Sequence, residues 1–169
     1  MNKISGTIVN HNSTFEGEIE FDKRIKNIRN TRKVNNQNYI IPGFVDLHCH
    51  GGNGFDTMEG ANSIVNMSKY HLMHGTTSIM PTTWTNNFEE TFEALKDFNK
   101  IKEDNLNLLG IHLEGPFINP DKLGAQPNLT QEPSLEFVKK LCDIADIKII
   151  TIAPEIQGMN NFIKELSDL

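Results

Sequence analysis

Three polar residues close three apolar runs at a fixed interval. His50 follows "YIIPGFVDLHC", Thr82 follows "TTSIMP" and Glu114 follows "NLLGIHL", and they stand 32 residues apart, from 50 to 82 and from 82 to 114. Such runs are too short for long helices and too uniformly apolar for half-exposed strands, so each reads as a strand buried on both faces. Between them the period becomes helical. "NSIVNMSKYHLMH", closed by Gly75, predicts one helix, and "NFEETFEALKDFNKI", with its stripe of Phe88, Phe92, Leu95 and Phe98, predicts a second. The helix "SLEFVKKLCDI", the strand "IKIITIAPE" and the start of another helix, "NNFIKELSDL", follow. Four βα units in succession predict a parallel sheet covered by helices.

With His50, Thr82 and Glu114 all near the C-terminal ends of strands, residues 42–169 are predicted to form the first four units of a (β/α)8 barrel. That fold takes about 250 residues and carries its active site at those strand ends. An open doubly wound sheet is the alternative, but "HGGNGFDTMEG" lacks the GxGxxG spacing and a Walker lysine. Residues 1–41 differ. "TIVN", "GEIEFD" and "KRIKNI" alternate apolar and polar residues, with Ile19 and Phe21 on one face and Glu18, Glu20 and Asp22 on the other, while "NHNST" supplies a turn containing His11. This segment is too short and too poor in large apolar side chains to bury a core alone. It is predicted to contribute strands to a small β-domain completed from elsewhere in the protein.

Composition narrows the partners. The 169 residues are 37% hydrophobic and 22% charged, enough for one sizeable core and too polar for a membrane protein. There is no 18-residue apolar run, and "MNKISGTIVNHNSTFEGE" lacks the apolar core of a signal peptide. The net charge of −6 comes from interspersed acids and bases without a basic block, which points away from nucleic acid and toward a small molecule. Cys49 and Cys142 make no disulfide framework, so a reducing, cytoplasmic location is expected.

The chemistry concentrates at two strand ends. In a strand, His48 and His50 point the same way and Cys49 the other. Two imidazoles from one strand end offer two ligands at a fixed separation to a divalent ion such as zinc, iron or cobalt. The alternative is that they are rim residues satisfied by hydrogen bonds, but an apolar strand ending in Asp46, His48 and His50 collects polar groups that a cation would compensate. Glu114, before Gly115-Pro116, is similarly expensive at a strand end unless paired or bound to a cation. His112, two residues earlier, is expected to support this site by hydrogen bonding rather than ligate. Cys49 reads as a packed core thiol, and His71 and His74 as basic residues suited to a helix C-terminus.

The motifs "IIPGFVDLHCHG", "HGTTSIMPTT", "GIHLEGPFINPDKLGAQP" and "ITIAPE", in this order and spacing, resemble the N-acetylglucosamine-6-phosphate deacetylase family of the amidohydrolase superfamily. The likeness runs from about Gly6 to the last residue. It implies a metal-dependent (β/α)8 barrel with a small β-sandwich built from both ends of the chain, a homodimer, and removal of acetate from an amino-sugar phosphate. Carried over by position, it makes Glu114 a metal ligand and His48 and His50 the pair that many members use for an additional ion. Ala125 and Gln126 become the substrate-contacting loop pair, although several relatives have histidine at the second place. One or two divalent ions per subunit are implied. The remaining ligands, the phosphate-binding residues and the aspartate that moves the proton are implied on later strands, so the catalytic base is expected beyond Leu169, and the chain alone is expected to be incomplete for catalysis. A catalytically incompetent piece and a different amidohydrolase are the other readings, the second disfavoured by "HLEGPF".

Overall fold

The computed structural model describes residues 1–31, 38–105 and 107–169. It divides into two compact units, Met1–Gly43 and Phe44–Leu169. The part of the expected β-domain at 32–37 lies outside the described residues.

In the first unit β1 (Asn2–Val9), β2 (Thr14–Phe21) and β3 (Ile25–Asn30) form an antiparallel meander, and β4 (Tyr39–Ile40) joins β1 in parallel on the other side. Alternation buries Ile8 and Ile19. Glu20 corrects the expectation that it faces water beside Glu18 and Asp22: it is buried. The register sets Lys3 directly opposite Glu20, with Lys3 Nζ 2.8 Å and Arg29 Nη2 3.4 Å from the Glu20 carboxylate. Two cations around one carboxylate compensate its removal from water.

The second unit opens with β5 (Phe44–Cys49), a short hairpin of β6 (Gly51–Gly52) and β7 (Phe55–Asp56), and helix α1 (Ala61–Met73). Then come β8 (Thr76–Pro81), α2 (Phe88–Leu95), α3 (Phe98–Asp104), β9 (Ile111–Glu114), α4 (Leu135–Cys142), β10 (Ile147–Thr151) and α5 (Met159–Ser167). The strand expected from Tyr39 to His50 is therefore interrupted. Pro42 has no amide proton to give a ladder and Gly43 no side chain to pack, so β4 and β5 separate into different units.

β5 pairs in parallel with β8, bridges at Ile79–Leu108 and Thr82–His112 bring β9 beside β8, and β10 pairs in parallel with β9. The spatial order β5-β8-β9-β10 repeats the order in the chain, with a helix after each strand. Side-chain caps start two of these helices: Asn87 Oδ1 accepts from the Glu90 amide for α2, and Ser134 Oγ from the Phe137 amide for α4. The single helix expected over 87–101 is two, turning at Lys96–Asp97. The turn buries both Leu95 and Phe98 fully. They join Ile64, Met67, Ile79 and Ile111 in one core cluster, while Leu113, Phe117, Phe137, Leu141 and Phe162 build a second.

β5 is not buried on both faces as expected. Phe44, Val45 and Leu47 are 61%, 58% and 47% exposed, because among the described residues β5 has a strand partner on one edge alone. The apolar residues of β8 and β9, by contrast, are covered.

The buried Glu20 generates a pH-dependent prediction. Its hydrogen bond from Lys3, helped by Arg29, holds the carboxyl below the ordinary glutamate value of 4.5. A depressed carboxyl contributes stability above that value and loses it as the pH falls through the folded-state value. Glu20→Gln is therefore expected to lower the thermal midpoint at pH 7, with the difference from wild type closing toward pH 3. Circular dichroism melts at both pH values measure this, and an equal difference at both would contradict it.

Candidate metal centre

β5, β8 and β9 run in parallel, so their C-terminal ends come together and carry their terminal side chains to one place. His48 Nε2, His50 Nε2 and Glu114 Oε2 converge there: the two imidazole nitrogens are 3.2 Å apart, and the Glu114 oxygen lies 2.9 Å from His50 and 3.5 Å from His48. Strand alternation works as the sequence predicts. Cys49 points the other way, its Sγ 3.3 Å from the Gly51 carbonyl and 3.3 Å from His71 Nε2. Burial, with Asp46 nearby, pushes that thiol up from its ordinary value, as befits a packed, unreactive cysteine. His71 is more than a helix-end cation. Its Nε2 donates to the Gly51 carbonyl and so ties α1 to the loop after β5.

The hydrogen bonds around the three donors decide which lone pairs face inward. A carbonyl oxygen can only accept, so the 3.1 Å contact between His50 Nδ1 and the Thr82 carbonyl puts the proton on Nδ1. His50 Nε2 is thereby left facing the Glu114 oxygen at 2.9 Å, where it can give a lone pair to a divalent ion or, in the protonated ring, a hydrogen bond to the carboxylate. Tetrahedral ligands at 2.0–2.1 Å from zinc stand about 3.3 Å apart, and the three separations bracket that value. The residues fit a divalent ion, and the pattern of a ligand histidine donating its other nitrogen to a backbone carbonyl is the usual support of such sites.

Glu114 is held from two sides. Its amide donates to Thr83 Oγ1 at 3.2 Å, and Gln126 Nε2 donates to its Oε2 at 2.7 Å while Gln126 Oε1 accepts from the Thr85 amide at 2.8 Å. Gln126 thus spends its amide on Glu114 and Thr85. Ala125 is exposed in the same loop, and no polar contact is possible from its methyl group. His112 is buried, donates from Nδ1 to the Leu47 carbonyl at 2.9 Å and accepts at Nε2 from Thr151 Oγ1 at 2.7 Å. Burial holds it below the ordinary histidine value and so neutral. It supports the centre through ring contact, edge-on to His48 at 4.9 Å.

Thr82 is the strand-end residue that the 32-residue interval picks out, whereas residues 83–85 are a part of the centre to which the motifs gave no role. The Thr82 carbonyl accepts from His50 Nδ1 and its Oγ1 from the Cys49 amide, Thr83 Oγ1 accepts from the Glu114 amide, Trp84 stacks on His50 with ring centres 3.8 Å apart, and the Thr85 amide donates to Gln126 Oε1. Thr82, Thr83 and Thr85 are fully buried. A run of hydroxyls directly after an apolar strand was the available signal. Beside Glu114, a cavity of about 300 Å³ is lined by Asn119, Lys122, Gln126, Thr151 and Glu155 among others. A larger cleft of about 650 Å³ lies between the start of α1 and α2–α3. Its lining contains no histidine or cysteine, Glu93 pairs with Lys96, and Glu59 accepts from the Asp56 amide and Ser63 Oγ, so it does not compete for the chemistry.

The Amidohydrolase family model matches residues 39–167. The chain belongs to the amidohydrolase family. The N-acetylglucosamine-6-phosphate deacetylase of Bacillus subtilis is 40% identical over 139 residues, which are 76% of this chain and 35% of the relative. The chain therefore spans about a third of the length of the curated amidohydrolases it matches. The crystal structure of the Thermotoga maritima deacetylase superposes with a TM-score of 0.84 at 28% identity, covering 98% of this chain and 46% of its own. A mutant Mycobacterium smegmatis deacetylase in complex with N-acetyl-D-glucosamine-6-phosphate gives 0.84 at 23% identity, covering 98% and 47%, which shows the shared α/β fold.

Gly115, next to Glu114, must stay glycine on this geometry. Its φ is +74°, and a Cβ there would lie 2.1 Å from Thr85 Oγ1. Gly115→Ala is expected to cost about 1–3 kcal/mol through the backbone conformation alone, with displacement of Thr85 in addition. Thermal unfolding measures the loss, and an unchanged midpoint would show that the strand end yields freely.

Proposed function

We propose that this chain is the metal-binding part of an enzyme that hydrolyses the acetamide of N-acetylglucosamine 6-phosphate, giving acetate and glucosamine 6-phosphate. The convergence of His48, His50 and Glu114 carries the reading, because two imidazoles and a carboxylate form a donor set used at three-ligand catalytic zinc sites. Amidohydrolases are generally metal-dependent. The deacetylase name of the Bacillus subtilis relative supplies the substrate class.

In this reading residues 42–169 are the first four units of a (β/α)8 barrel and residues 1–41 belong to a small β-sandwich domain. The whole enzyme is a cytoplasmic homodimer that takes an amino-sugar phosphate and neither nucleic acid nor a membrane as partner. When bound, a divalent ion such as zinc, iron or cobalt polarises the amide carbonyl and lowers the pKa of a bound water from about 16 toward about 7. The chain's own residues prepare that chemistry. His48 and His50 give nitrogen donors at a fixed separation, and Thr82 keeps the lone pair of His50 Nε2 turned inward. Gln126 keeps the Glu114 carboxylate oriented with a neutral amide, which leaves its negative charge for the cation. With Ala125 it borders the loop where the substrate lies, and the cavity beside Glu114 gives the reacting amide a place next to the donors. Proton transfer to the departing amine belongs to an aspartate that the family resemblance assigns to a later strand.

Glu114→Gln tests the reading. Elemental analysis of the purified protein is expected to show the loss of at least one metal equivalent against wild type. A chimaera in which this chain replaces the matching segment of the Bacillus subtilis relative is expected to release acetate from N-acetylglucosamine 6-phosphate and to lose most of that activity with the same substitution. A Glu114→Gln variant with full metal content and normal turnover would overturn the assignment.

A further inference from the structure

We propose that Trp84 is a positioning residue that clamps the plane of the His50 imidazole and thereby sets the affinity of the centre for its ion. The inference rests on the reading of His48, His50 and Glu114 as metal ligands. Hydrogen bonding alone leaves His50 with a freedom that a ligand should not have. The Nδ1 contact to the Thr82 carbonyl fixes one point of the ring, about which the ring can still rock, carrying Nε2 off the Glu114 oxygen. The indole of Trp84 removes this freedom. It lies face to face with His50 at 3.8 Å and 14° between planes, while the edge of His48 meets the His50 ring at 4.9 Å and 89°.

The indole is itself anchored. Its Nε1 donates to Asp56 Oδ2 at 3.3 Å, Asp56 Oδ1 accepts from the Met58 amide at 2.8 Å, and the Asp56 amide donates to Ser63 Oγ of α1 at 2.9 Å. A chain of contacts thus runs from the first turn of α1 through Asp56 and Trp84 to a candidate ligand. The stack also has an electronic consequence. An imidazole that gives its lone pair to a cation becomes electron-poor, and the negative face of an indole stabilises a positive ring above it. Trp84 therefore favours the metal-bound form of His50 over the free form.

The chain contains one tryptophan, so its fluorescence reports this contact alone. Cobalt(II) titrated into the protein is expected to quench Trp84 emission with the same midpoint as the growth of the cobalt ligand-field absorption. Trp84→Leu, followed by absorption, is expected to bind cobalt about 10–100-fold more weakly, the usual loss when a supporting contact of a ligand is removed. Trp84→Phe keeps a ring face and is expected to recover most of that loss. Without metal, the ring-proton NMR signals of His50 should lie upfield in wild type and move downfield in Trp84→Leu. Unchanged cobalt affinity in a folded Trp84→Leu protein whose His50 signals have moved would overturn the proposal. If Trp84→Leu does not fold, Asp56→Ala, which removes the acceptor of the indole Nε1, takes its place, and wild-type cobalt affinity in a folded Asp56→Ala protein whose His50 signals have moved would overturn the proposal equally. His48→Asn and Glu114→Gln separate the two ideas. Should neither lower cobalt binding, the metal reading fails and this inference with it; should both lower it while Trp84→Leu does not, only the role of Trp84 fails.

Discussion

Three side-chain polar atoms brought within 2.9–3.5 Å of one another are the constraint around which the second unit is organised. Left alone, such atoms turn away toward donors or water. Here the backbone forbids it: two come from alternate residues at the end of β5, the third from the last residue of β9, and β8 lies between them as a spacer of fixed width. The hydrogen bonds add direction to that position. The Thr82 carbonyl accepts from His50 Nδ1 and Gln126 Nε2 donates to Glu114, so these two side chains are held by their neighbours on either side of the cluster.

The segment that follows the spacer strand supplies none of the three side chains yet braces His50 and Glu114. Thr82 and Thr83 reach sideways to β5 and β9, and Thr85 reaches the loop after β9 through Gln126. The contacts divide between backbone and side chain: the Thr82 carbonyl and the Thr85 amide make theirs through the main chain, and Thr83 through its hydroxyl, while a buried threonine hydroxyl can also both give and accept. Thr82 does so, accepting from the Cys49 amide and donating to the Met80 carbonyl.

Much of this was legible in the residues, and the exceptions have a common cause. The period of two along a strand is enough to put His48 and His50 on one side and Cys49 on the other. The 32-residue recurrence is enough to bring strand ends into register. Neither rule reaches across the fold. The stack of Trp84 on His50 joins residues 34 apart, and the clasp of Gln126 on Glu114 depends on the path of a loop containing Pro120 and Gly124. The misread Glu20 is of the same kind, since alternation gives it a face but cannot say that Lys3 and Arg29 close over that face. The exposed side chains of β5 depend on how many strands lie beside it, which its own composition does not encode.

The agreement of spatial order with chain order has a consequence for how the centre comes into being. Each strand of the second unit pairs with one made about 30 residues before it, so its contacts are short in sequence and quick to close. His48, the last-made donor Glu114 and the clasping Gln126 all precede α4 and β10 in the chain. At roughly 5–20 residues per second of synthesis, the interval from His48 to Gln126 passes in about 4–16 seconds. The three converging side chains and the clasp on Glu114 are thus all synthesised before α4 and β10, the last helix–strand pair to join the sheet of the second unit.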